Sequence, residues 1–252
     1  MLHPFRSSYL TPGGQVYRPF LDLASRPHLL IAGATGSGKS VALSGIIQSL
    51  LMTESPYTTQ FALIDPKKVE LIRYQPFPHV VRYASEHSDI LRTLQWCLDE
   101  TDRRFSAMQR ARTLEFSGPH LYVIIDELAD LMLTNKTEYL PLLQRLAQIG
   151  RAARVHVIAC SQNIMAQTIP TVLKCNFPTV LGLRTANKQQ SRYLISEAGC
   201  ESLPDPKREG KGYGYIRDGA DLYKLNVYKY PESVLSDLLT WWTSSACIAK
   251  GA

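Results

Sequence analysis

Several kinds of protein are excluded by what the 252-residue chain lacks. Its five cysteines (97, 160, 175, 200 and 247) form no C-x-x-C pair and stand apart from one another. Neither a disulfide framework nor a zinc site is expected from such spacing, and scattered single thiols fit a reducing interior. No apolar run approaches the roughly 18 residues of a membrane span, and the first residues hold no signal-peptide core. A cytoplasmic location is therefore expected. There is no internal repeat and no low-complexity tract. Charge of one sign is not strongly in deficit either: 28 Lys and Arg against 22 Asp and Glu leave a net +6. A modest basic excess alone supports a nucleic-acid partner only weakly.

What is present begins with Gly33-Ala34-Thr35-Gly36-Ser37-Gly38-Lys39-Ser40, which fits G-x-x-x-x-G-K-[ST], the Walker A phosphate loop. A triphosphate needs main-chain N–H groups turned inward, and glycines at 33, 36 and 38 allow the positive φ and close approach this requires. Lys39 supplies a point charge for the β- and γ-phosphates, and Ser40 a hydroxyl for Mg²⁺. The flanks agree. His28-Leu29-Leu30-Ile31-Ala32 reads as a buried parallel strand, and residues 41–51 carry a helical stripe at 43, 46, 47, 50 and 51. The expectation is ATP bound with Mg²⁺.

Further along, Phe61-Ala62-Leu63-Ile64 reads as a second buried strand ending at Asp65-Pro66-Lys67-Lys68, and residues 88–112 as a long helix. Leu121-Tyr122-Val123-Ile124-Ile125 is the most apolar strand and ends in Asp126-Glu127. Carboxyl ends of neighbouring parallel strands meet at one edge, where ligands bind. An Asp there holds Mg²⁺ as in the Walker B motif, and the following Glu orients and deprotonates an attacking water. That second carboxylate points to hydrolysis of ATP. A helix over 139–153, a strand over 155–160 leading to Gln162, a strand over 180–183 and a helix over 188–197 follow. Gln162 is placed to sense a γ-phosphate. Arg145, Arg151 and Arg154 cluster before the 155–160 strand, and guanidinium chemistry suits a finger acting across a subunit boundary. Chemistry alone does not rank the three.

The termini read differently. Residues 1–27 suggest an opening hairpin, with a turn at Thr11-Pro12-Gly13-Gly14 and a strand over 17–23. Residues 213–216 and 222–228 read as an antiparallel hairpin about 217–221, and 231–242 as a last helix before a frayed tail. Alternating strands and helices predict an α/β fold, a mostly parallel sheet flanked by helices, with a C-terminal antiparallel hairpin.

Several stretches resemble the motor core of the FtsK/SpoIIIE family of DNA translocases. They are Asp22-Leu23 with 27–40, the run Leu63-Ile64-Asp65-Pro66-Lys67-Lys68-Val69-Glu70-Leu71 with Pro78-His79, Asp126-Glu127-Leu128-Ala129-Asp130, and Arg145 through Ala159. The likeness runs from about residue 13 to the 213–215 strand. It implies a RecA-like P-loop NTPase divided as an N-terminal segment (1–27), a motor core (28–230) and a C-terminal helix and tail (231–252). It implies an ATPase that forms a hexameric ring and pumps double-stranded DNA through its pore. It gives Arg151 the trans-acting finger position, and places Lys174 and Lys188 on the DNA backbone. Three departures stand out. Asn163 sits where relatives have Arg, 112–119 is short, and 203–212, with Pro204, Pro206, Lys207, Arg208 and Lys211, reads as a mobile basic loop. With no anchoring region or winged-helix module in view, the expectation is a motor core or a compact relative on a mobile element. The alternatives are a type VII secretion-like or a conjugative coupling ATPase built on the same core.

Overall fold

The computed structural model describes residues 9–10, 16–17 and 27–244. In the opening segment, β1 (Tyr9–Leu10) pairs antiparallel with β2 (Val16–Tyr17). The expected Thr11–Gly14 turn and the rest of the 17–23 strand lie outside the described residues, as does the tail from 245.

The body is an eight-stranded sheet. In chain order its strands are β3 (His28–Ala32), β4 (Thr59–Ile64), β5 (Val80–Ala84), β6 (His120–Ile125), β7 (Val155–Ser161), β8 (Thr179–Leu183), β9 (Gly212–Asp218) and β10 (Asp221–Val227). Across the sheet they run β10-β9-β8-β3-β7-β6-β4-β5. The pairs from β8 to β5 are parallel, and β9 and β10 add an antiparallel edge. This is the mostly parallel α/β architecture that the strand–helix alternation predicts.

Alternation along each strand builds two cores. Leu30 and Ala32 of β3, with Leu121, Val123 and Ile125 of β6, face one side, where α2 (His87–Ala111) and α3 (Leu128–Ile149) cover them. Leu29, Ile31, Tyr122 and Ile124 face the other, under α1 (Lys39–Thr53) and α7 (Glu232–Thr243). Because both faces are covered, the central strands are mostly apolar and carry no charged residue, which is why they read as hydrophobic runs. Trp242 fastens α7, donating its indole N–H to the Leu51 carbonyl at 2.9 Å and meeting the His79 ring edge-on at 4.6 Å.

Three elements differ from the sequence expectation. The helix expected over 139–153 begins at Leu128, directly after Glu127, and bends at Asn135 (φ −154°, ψ 74°). The bend and Pro141 break the helical period, so only the second half is legible. The edge strand β5 is half-exposed and too short to show as an apolar run. The hairpin turns on Gly219 and Ala220 alone, with Gly219 at φ +60°.

Candidate active site

Six parallel strands end at one edge, and β3, β4, β6 and β7 lead there into the polar groups of the site. After β3 the chain turns through residues 33–38 into α1. Gly38 at φ +96° is the left-handed residue that starts the helix. Gly33 is required by closeness: a Cβ there would fall 2.4 Å from Ser37 Oγ and 2.7 Å from Leu183 Cβ. The Gly33 N–H donates to the Ser161 carbonyl at 3.2 Å and the Ala34 N–H to the Arg184 carbonyl at 2.8 Å, which pins the loop to β7 and β8. The Ser37 hydroxyl is buried and has no partner among the described residues. A pinned, open-centred loop with an unspent donor suits phosphate oxygens.

Asp126 and Glu127 follow β6, each 2% exposed. The Lys39 ammonium donates to the Asp126 carboxylate at 3.0 Å and to its carbonyl at 2.9 Å. Burial works against the Lys39 charge, but acidic neighbours, Asp126 foremost among the carboxylates, more than offset it and raise its pKa. Burial also pushes the Asp126 carboxyl up, and Lys39 pulls it back only in part. Ser40, Asp126 and the phosphates would form an all-oxygen donor set, which fits a hard cation such as Mg²⁺.

Glu127 precedes the first residue of α3 and is held from two sides. Its Oε1 accepts the Gln162 main-chain N–H at 3.0 Å, and its Oε2 lies 3.5 Å from the Lys67 ammonium. Gln162, just past β7, in turn accepts the Thr35 hydroxyl on its own Oε1 at 2.9 Å. The chain of contacts Thr35–Gln162–Glu127 therefore links the phosphate loop to the carboxylate beside it. The sequence assigns Lys67 no role, although its Asp-Pro-Lys stretch is conspicuous. The turn explains it: Asp65 Oδ2 accepts the Leu71 and Ile72 N–H groups at 2.9 and 3.2 Å, folding the segment so that Lys67 reaches Glu127 and, at 3.5 Å, Asp130. Alongside, a cleft of about 190 Å³ opens between Ser40 and Ser44 of α1, Arg73, and Lys229 to Glu232.

The remaining candidates lie elsewhere. Arg151 is exposed in the turn between α3 and β7, at the opposite edge of the sheet. Arg145 is also exposed. Arg154 is spent locally: its guanidinium donates to the Gly118 carbonyl at 3.3 Å. The same turn is held by Arg104 of α2, 1% exposed, which donates to the carbonyls of Pro119, Ala153 and Arg154 at 2.8, 2.9 and 3.2 Å and pairs with Glu100 at 2.8 Å. Lys188 is exposed at the first residue of α5 (Lys188–Ile195). Lys174, the last residue of α4 (Thr171–Lys174), donates to the Tyr193 carbonyl and lies 4.7 Å over that ring. Burial lowers its pKa.

A mostly parallel sheet with a Walker loop after one central strand and a buried Asp-Glu pair after another is the RecA-like P-loop NTPase fold. Within that class, the chain belongs to the FtsK/SpoIIIE family, whose model matches residues 14–120 and 110–166. Among curated proteins it is 35% identical over 198 residues to the DNA translocase FtsK of Borreliella burgdorferi, and 36% over 205 residues to that of Chlamydia pneumoniae. Each alignment covers 72% of this chain and 25% of the relative, so the chain spans a quarter of those proteins' length. Among solved structures, the pCW3 conjugation coupling protein TcpA, in a monomer form with ATPγS, superposes with a TM-score of 0.77 at 23% identity, covering 90% of this chain and 68% of that one. The cytoplasmic domain of the type VII secretion ATPase EccC from Thermomonospora curvata gives 0.75 at 22%, covering 94% and 30%. At these identities the likeness is one of fold.

Proposed function

We propose that the protein is an ATP-driven motor for double-stranded DNA that works in the cytoplasm as a ring of subunits, six as the family resemblance implies. The observation that carries this reading is Glu127: a buried carboxylate after a central strand, tied through Gln162 to Thr35 of the phosphate loop. A base held so near the phosphate site suits attack of water on a terminal phosphate. Lys39 holds the β- and γ-phosphates and the main chain of 33–38 cradles them, while the adjoining cleft at Ser44 and Tyr230 takes the nucleoside. Ser40 and Asp126 hold Mg²⁺, which supplies charge neutralisation when bound.

Arg151 serves the neighbouring subunit. It sits one strand length from its own phosphate loop, roughly 20 Å for a seven-residue strand, and so cannot reach that site. Lys188, and Lys174 once released from Tyr193, contact the DNA backbone. The test is the rate of ATP hydrolysis with and without linear duplex DNA. Stimulation by duplex of any sequence, fading steeply as salt rises, is expected. A second reading, a secretion or coupling ATPase, draws on the superpositions with EccC and TcpA. Hydrolysis indifferent to duplex DNA would favour the secretion ATPase; a coupling ATPase would be told apart by its genome neighbours.

A further inference from the structure

One cation beside the phosphate loop has no task in this reading. Residues 203–212 do not form an open loop; they contain a helical turn, α6 (Pro206–Glu209), seated next to the loop. The end of the Lys207 side chain lies against Gly36: a Cβ on that glycine would sit 3.3 Å from Lys207 Cε and 3.7 Å from Nζ. The Lys207 main-chain N–H donates to Asp205 Oδ1 at 3.0 Å, but its ammonium has no hydrogen-bond or ion-pair partner among the described residues.

The placement is fixed by one residue working in two directions. Asp205, which caps α6, accepts the Arg184 guanidinium on Oδ2 at 3.2 Å. The carbonyl of the same Arg184 accepts the Ala34 N–H of the phosphate loop at 2.8 Å. Loop and turn therefore hang from a common point at the end of β8. Electrostatics sharpen the oddity. The inward N–H groups of the loop and the first turn of α1 already present positive charge, and Lys39 is matched by Asp126. A further ammonium against Gly36 is unfavourable unless an anion joins it.

We propose that Lys207 is a second phosphate-binding cation, contacting the terminal phosphates of the nucleoside triphosphate held in 33–40. The proposal rests on the nucleotide reading above and adds a residue to it, delivered by a segment outside the Walker motifs. Asp205 and Arg184 act as positioning residues.

Binding of a fluorescent ATP analogue to the full chain tests it, with wild type, Lys207→Ala, Lys207→Arg and Lys39→Ala side by side. A charge-assisted contact at a half-open site predicts affinity for the triphosphate about tenfold weaker in Lys207→Ala, largely restored in Lys207→Arg, with AMP affinity unchanged. Because Lys207 is exposed, the substitution leaves the core intact. Amine acetylation read by mass spectrometry gives a second measure: ATP should protect Lys207. Wild-type affinity in Lys207→Ala, or acetylation unaffected by ATP, overturns the proposal. Failure of the wild type itself to bind the analogue overturns the nucleotide reading instead.

Discussion

The two edges of the sheet use charge in opposite ways. At the carboxyl edge, Lys39, Lys67, Asp126 and Glu127 face one another, and the Ser37 hydroxyl has nothing to bond among the described residues. At the amino edge, Arg104 and Arg154 spend their donors on carbonyls of the 118–119 and 153–154 turns. The first arrangement is completed by something added; the second is already complete. Strand direction underlies the difference, because helices start where strands end and turn their free N–H groups toward that edge. Arg151 breaks the pattern: it is exposed in the amino-edge turn, and no ion pair or hydrogen bond holds its side chain among the described residues.

The sharpest way to break the contrast is to ask whether Arg151 belongs to a site at all. Arg151→Ala should leave nucleotide affinity nearly unchanged and reduce hydrolysis about 10³-fold, because a finger stabilises charge that grows only in the transition state. Mixing Arg151→Ala with Lys39→Ala subunits should restore part of the activity wherever an intact loop meets an intact arginine. Mixed assemblies as inactive as either parent would return Arg151 to the self-contained edge. Glu127→Gln tests the other edge. It should keep ATP bound while hydrolysis falls about 10²–10³-fold, as expected when only water activation is removed. Wild-type turnover would remove Glu127 as the base.

Stability separates the edges further. Arg104→Ala uncaps three carbonyls and leaves Glu100 paired with Arg103 alone, so unfolding free energy in denaturant should drop by about 3 kcal/mol. A smaller effect concerns pH. Burial holds His28 down to about 4 and also lowers His79 and His156, all below the ordinary value of 6.5. Neutral burial of these rings contributes stability above that value. The unfolded chain takes up protons first as pH falls, so the melting temperature should decline from pH 7 toward pH 4. A flat profile over that range would mean the rings are charged in place.

Most of the carboxyl edge is legible in the sequence, because each of its groups ends an apolar run. The strands containing His28, Leu121 and Val155 are readable within a residue or so for the same reason: with both faces covered, burial leaves no charged residue in them and few polar ones, His28 and His156 among them. What stays hidden depends on loop geometry. Lys67 reaches Glu127 only because Asp65 folds the intervening turn, and Lys207 meets Gly36 only because Arg184 holds both neighbours. Neither relation has a spacing that a linear reading detects. The first half of α3 was masked by its own bend at Asn135, and β5 by its exposure at the rim.

One strand runs from the Arg151 turn to the phosphate site. β7 begins just past the Arg151 turn and ends at Ser161, next to Gln162, is buried at all seven positions, and is hydrogen-bonded on both sides, to β3 and β6. A shift of one residue would turn its side chains into the wrong core, so β7 cannot slide within the sheet. It is a stiff rod between the end that touches the phosphate loop and the end that carries the arginine. In the proposed ring, news of hydrolysis would therefore pass to a neighbour through rotation of a whole subunit, with the interface doing the bending.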